Sequence, residues 1–254
     1  LDTMFVGSEF SLYGLAAGDT NGDGIADVLL AMWPYQNDYY TYLFLGPVTG
    51  QRDITAEDAS LSCDPDLAFQ RSATFDAAGD TDGDGYDDVL FGTQACPDVN
   101  GAAWLLRGPI EGSSDLVDVA SATMLGAPLE DPDGSRAGKA VVAAGDLDGD
   151  GVADFAVSAE RAGAPGPRDH LLGRGTYVVF GPAEGVIDLA ETAPRIYHED
   201  LVYDENPDET YVVGGGGDVD GDGRTDLVIG ATYVDWSPSD ERRGAAYLVL
   251  GNRF

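Results

Sequence analysis

One nine-residue phrase, written four times, limits this chain more than its length does. In AAGDTDGDGYDDVLFG, residues 77–92, Asp80, Asp82, Asp84 and Asp88 fall at positions 1, 3, 5 and 9 of a glycine-broken loop. Gly83 and Gly85 supply the backbone freedom that turns alternate carboxylates toward one centre. AAGDTNGDGIADVLL repeats the phrase with Asp19, Asn21, Asp23 and Asp27. AAGDLDGDGVADFAV does so with Asp146, Asp148, Asp150 and Asp154, and GGGDVDGDGRTDLVIG with Asp218, Asp220, Asp222 and Asp226. Carboxylates crowded in this way repel one another and resist full ionisation without a cation. Hard oxygen donors in a flexible, irregular cage suit Ca²⁺, and the amide oxygen of Asn21 remains a competent ligand. The backbone carbonyls at position 7, from Ile25, Tyr86, Val152 and Arg224, complete the expected donor set. The position-9 acid is expected to bind with both oxygens, as the last acid of an EF-hand loop does. A solvated acidic turn would account for one such loop. Four in a fixed grammar point to about four Ca²⁺ ions.

The segment after each loop is not helical. DVLLAM, DVLFG, DFAVSA and DLVIGA are short apolar runs with no 3.6-residue period, as expected of strands buried on both faces. A further strand ending in glycine comes about thirty residues after each loop: TYLFLGP, AAWLLRGP, TYVVFGP and AAYLVLGN. The first three continue through a shared turn that ends in Asp and an aliphatic residue. One unit therefore reads as strand, loop, strand, variable hairpin, strand, GP turn, strand. In the first unit the strands are expected near 9–17, 27–33, 41–45 and 54–62. The loops begin at 19, 80, 146 and 218, a spacing that suits four-stranded propeller blades.

The expected fold is thus all-β: a single β-propeller domain with blades near 7–64, 65–127, 128–200 and 201–254. The last blade stops at GNRF, where its outer strand should begin. LDTMFV (1–6) resembles ATMLG (122–126), so residues 1–6 are expected to complete that blade and close a four-bladed ring. The alternative is four blades of a larger ring.

These units resemble the FG-GAP repeats of the integrin α-subunit propeller and its bacterial relatives. The resemblance rests on the DxDxDGxxD loop and its flanking strands, with Phe91-Gly92 as the name-giving dipeptide and Gly230-Ala231 keeping part of its second half. It implies calcium in the loops between first and second strands, on a lower face, and partners on the upper face. Integrin rings have seven blades and this chain shows four units, so integrin ligand specificity does not carry over.

Charge excludes one class of partner. Thirteen basic against 46 acidic residues leave a formal charge of -33, which disfavours nucleic acid. No apolar run approaches the ~18 residues of a membrane span. Leu1 is not followed by a signal segment, which reads as a processed chain or an excised domain. Calcium sites of modest affinity, together with Cys63 and Cys96 on one expected rim, favour an extracellular or cell-surface location and a disulfide between the two. Two unrelated buried thiols are the alternative.

The upper hairpins vary most. Trp33, Tyr35 and Tyr39 in the first, and Tyr233 and Trp236 in the fourth, are candidates for stacking on a sugar or a partner side chain, or else cap the blade cores. Arg168 and His170 in the third mark a second candidate patch, or a solvated loop paired with acids. Neither His170 nor His198 has the spacing of a catalytic or zinc site, and no nucleophile motif is present. The reading is a non-catalytic binding or adhesion module for a protein or glycan. The alternatives are a polysaccharide- or lipid-active enzyme or its accessory module, and a structural spacer.

Overall fold

The computed structural model describes residues 3–6, 10–34, 41–54, 56–62, 73–94, 101–126, 135–159, 175–197, 211–234 and 243–254. After β1 (Thr3–Val6), the first repeat comprises β2 (Phe10–Gly18), β3 (Asp27–Pro34), β4 (Thr41–Phe44), β5 (Gly50–Asp53) and β6 (Ala59–Ser62). The second has β7 (Ala73–Gly79), β8 (Asp88–Thr93), β9 (Ala102–Leu106), β10 (Gly112–Asp115), the single-turn α1 (Leu116–Val119) and β11 (Ala122–Leu125). The third has β12 (Ala137–Gly145), β13 (Asp154–Ala159), β14 (Gly175–Val179), β15 (Gly185–Asp188), α2 (Leu189–Thr192) and β16 (Arg195–Tyr197). The fourth has β17 (Tyr211–Gly217), β18 (Asp226–Val234), β19 (Arg243–Val249) and a closing 3₁₀ turn, Gly251–Arg253. The described residues are all-β apart from these short turns of helix. Within each repeat the strands pair antiparallel in sequence order, except that β5, β10 and β15 are passed over.

Of the outer strand expected at 54–62, only 59–62 (β6) is strand, and the GP turn before it carries a separate strand, β5. The extra strand has a long-range cause. β10 pairs in parallel with β6 of the preceding repeat, Ala59 opposite Gly112, and β15 pairs likewise with β11, Ala122 opposite Gly185. Both turn glycines have φ +67, a left-handed conformation that favours glycine. β1 makes the same parallel pairing with β5, Thr3 opposite Gly50, whose φ is +75. By register, β1 therefore stands where the outer strand of a preceding repeat would stand. The expected pairing of residues 1–6 with the fourth repeat is not among the described pairings, where β19 has β18 as its only strand partner.

The helical turns answer the Asp-aliphatic ending of the GP turns. Asp115 caps α1 by accepting the Val117 N–H, and Asp188 caps α2 by accepting those of Ala190 and Glu191. Leu116 and Leu189, next in each chain segment, are fully buried.

The repeats stack sheet on sheet, and a two-sided burial rule results. Leu29 and Leu43 meet Phe91 and Trp104 of the second repeat. Leu90, Leu105 and Met124 meet Phe155, Val157 and Tyr177 of the third. Ala156 and Val178 meet Leu227 and Ile229 of the fourth. At the second junction the backbones come so close that a side chain on Gly92 would lie 2.6 Å from Val141 Cγ1 and 2.7 Å from the Gly138 carbonyl. The glycine of the Phe-Gly pair is thus fixed by packing. The fourth repeat breaks the rule on one side. Val228 and Leu248 are 41% and 48% exposed, where their counterparts Leu90 and Leu105 are 0% and 1%.

Candidate metal centre

All four loops are built in one way, and backbone amides explain their shape. The position-1 carboxylate turns inward and accepts the N–H groups of the loop's own tip. Asp80 takes those of Gly83 (2.7 Å), Asp84 (3.1 Å) and Gly85 (3.0 Å). Asp218 takes those of Gly221, Asp222 and Gly223 at 2.6–3.2 Å. Asp146 holds Gly149 and Gly151, and Asp19 holds Asp23 and Gly24. The position-3 side chain accepts the position-5 N–H, including at Asn21 Oδ1 at 2.9 Å. Position 5 in turn accepts the N–H of Ile25, Tyr86, Val152 or Arg224 at 2.8–3.0 Å.

Position 9 does more than the sequence indicates. Asp27, Asp88, Asp154 and Asp226 are buried, and each uses both oxygens on backbone amides. Asp154 Oδ2 accepts the Leu147 N–H (2.8 Å) within the loop, and its Oδ1 accepts the Gly181 N–H (2.9 Å) from the distant GP turn. The same two bonds recur at Asp27 with Thr20 and Gly46, at Asp88 with Thr81 and Gly108, and at Asp226 with Val219 and Gly251. The glycine that ends each third strand is therefore tied to the loop, a role that local spacing does not signal. Burial pushes the Asp88 and Asp154 carboxyls above the ordinary range, against the pull of these hydrogen bonds. At Asp226, in the repeat whose outer face is open, the Gly251 and Val219 amides prevail and hold the carboxyl below it.

The oxygens converge. Within 4.8 Å of one another lie ligand atoms of Asp80, Asp82 and Asp84, of Asp146, Asp148 and Asp154, and of Asp218, Asp220 and Asp226. Asp88 is outside its loop's cluster, and Asp150 and Asp222 are outside theirs. An all-oxygen, mostly carboxylate donor set fits a hard divalent cation such as Ca²⁺.

Contacts between repeats add four links that no single repeat unit encodes. The Asp87 carboxylate accepts the Asp19 N–H (2.7 Å) while the Asp87 N–H donates to the Asp19 carbonyl (2.8 Å), joining the first two loops. The Thr225 N–H donates to the Asp146 carbonyl (2.8 Å) and joins the last two. On β7, Asp76 accepts the Ala143 N–H of β12 at 3.0 Å, and burial pushes its carboxyl up. Arg107, at the end of β9, reaches Asp82 and Glu184.

The other candidate residues fall mostly elsewhere. Tyr35, Tyr39, Arg168, His170, Trp236, Cys63 and Cys96 lie outside the described residues. Trp33 and Tyr233 occupy the far ends of β3 and β18, opposite the loops. No described helix is long and apolar enough to cross a membrane.

Comparison with known proteins converges on the same repeat. The model of the FG-GAP repeat matches residues 210–249, which hold β17, the fourth loop, β18 and β19. The chain is 34% identical to Integrin alpha-PS2 of Drosophila melanogaster over 174 residues, 63% of this chain and 11% of that protein. It is 28% identical to Integrin alpha pat-2 of Caenorhabditis elegans over 230 residues, 86% of this chain and 18% of that protein. The chain thus spans under a fifth of the length of these curated relatives. The protein carries an FG-GAP repeat and is integrin-like in sequence over most of its own length.

Proposed function

We propose that this is a calcium-stabilised, non-catalytic β-propeller of the adhesion type, acting outside the cell and holding a protein or glycan on the loops opposite the metal centres. The observation that carries the reading is the fourfold recurrence of one oxygen-lined loop at the same place in each repeat. In each loop the side chains at positions 1, 3, 5 and 9 would hold the ion, with the carbonyls of Ile25, Tyr86, Val152 and Arg224. A bound Ca²⁺ supplies positive charge that neutralises the clustered carboxylates. The amides at positions 4 to 7 orient those carboxylates, and the position-9 acid anchors the loop to its sheet. Calorimetric titration of chelated protein with Ca²⁺ is expected to show uptake of about four ions per chain. Absence of uptake overturns the reading.

The ligand reading rests on the hairpins that contain Trp33, Tyr35, Tyr39, Tyr233 and Trp236, with Arg168 and His170 as a second patch. Rigid repeats present variable loops at little entropic cost, which is why binding concentrates there. A Cys63–Cys96 disulfide belongs to the same extracellular reading.

We further propose that the four repeats close as a ring through β1. Three features support this: the outer-strand register of β1 on β5, the edge of β19 that no described strand pairs, and the exposure of Val228 and Leu248 on the face next to that edge. Transferring the β11–β9 register, in which Ala122 opposes Leu105, sets Thr3 opposite Leu248 and Val6 opposite Ala245.

A further inference from the structure

We infer that Arg107 is a built-in competitor for the metal of the second loop, and that Glu184 of the third repeat relieves the competition. The inference rests on the calcium reading proposed for the four loops. Arg107 stands just before the glycine of the GP turn. The residues at that place in the other repeats are Leu45, Phe180 and Leu250, all apolar. Its Nε lies 3.2 Å from Asp82 Oδ2, and its guanidinium also reaches Glu184 Oε1 at 3.4 Å. Nε is buried and has no hydrogen bond of good geometry, so the contact with Asp82 is ionic rather than directional. Among the described residues, no other loop acid has a basic side chain in salt-bridge contact.

The second loop also differs in arrangement. In the third and fourth loops the acids at positions 1, 3 and 9 converge. In the second, positions 1, 3 and 5 converge and Asp88 is left out. The difference coincides with the one position-3 acid that a guanidinium engages. An ion entering this loop must share Asp82 with a positive charge in salt-bridge contact, which no described acid of the other loops has, and like charges at such a distance repel. Glu184 offers the displaced guanidinium a second acceptor across the repeat junction. The second loop therefore binds Ca²⁺ less tightly than it would without Arg107, and its occupancy moves Arg107 from Asp82 toward Glu184.

The test is calorimetric titration of the full chain with Ca²⁺ after chelation. Arg107→Leu, and Arg107→Gln as a polar alternative, should raise the affinity of one site about tenfold. Glu184→Gln should lower the affinity of that same site, since Arg107 then pairs with Asp82 alone. In the Arg107→Leu background Glu184→Gln should have no effect, and in an Asp82→Ala background, where the contested acid is gone, Arg107→Leu should have none. Affinities unchanged by the Arg107 variants, or a Glu184 effect that persists without Arg107, overturn the inference. Wild-type protein that takes up no Ca²⁺ overturns the calcium reading on which it depends, so the two failures are distinct.

Discussion

Replacing Asp154 should damage the protein even where no metal is available. Its carboxylate is 0% exposed and accepts the Leu147 N–H at 2.8 Å and the Gly181 N–H at 2.9 Å. Asp154→Ala leaves both amides without their partner. Hydrogen bonds to a charged acceptor contribute about 1.5–3 kcal/mol each, and relief from burying a charge returns part of that. The net loss comes to about 3–4 kcal/mol. For a chain of this size each kcal/mol lowers the melting point by about 2–4 °C, so a fall of roughly 10 °C is expected. Asp154→Asn keeps one acceptor and should lose about half as much. The control is Asp150→Ala, at an exposed position whose carboxylate accepts one loop amide that water can also reach. In excess chelator that variant should lose about 1 kcal/mol or less. Thermal melts of the three variants in chelator decide the matter. Asp154→Ala and Asp150→Ala melting within about 2 °C of each other would refute the claim that position 9 is a structural staple.

Two further outcomes are expected. The raised carboxyl of Asp76 makes its contribution to stability fully present below the ordinary carboxylate value and lost as pH rises through the folded value, so Asp76→Asn should flatten chelator-phase stability across that window. A fall in stability just as steep in the variant would count against it. For ring closure, cysteines at Val6 and Ala245 should form a disulfide within one monomeric chain, identified by peptide mapping, while the out-of-register pair at Val6 and Tyr247 should not. A bond found only between two chains, or equal yields from both pairs, rejects the register.

Much of this architecture is legible in the sequence because it is local. The glycine-broken loops fall where the phrase places them, and β3 begins at the position-9 acid itself, Asp27. The illegible part is set by distant pairing. Nothing in GQRD (50–53) shows that it leaves its own sheet to pair with the outer strand beside it. The helical turn at Leu116 escapes a periodicity argument because four residues cannot show a period, although Asp115 before it is a usable capping signal. Arg107 carries no local sign of its role: its partners are 25 residues upstream and 77 downstream, on another repeat. The position-9 acid reads as a ligand and not as a staple, since the glycine that it holds lies about twenty residues or more further on.

The inward-turned carboxylate at position 1 has a kinetic consequence. Asp19, Asp80, Asp146 and Asp218 hold the amides of their loop tips, so hydrogen bonds within the protein account for the shape of each tip. On the calcium reading, a cation would therefore have little backbone to organise. Its rate of capture is then governed by diffusion, by the strong negative field of the molecule and by the shedding of its own water. On the calcium reading proposed above, exchange of ions should be fast compared with folding, so each loop would follow the calcium level of its surroundings from moment to moment.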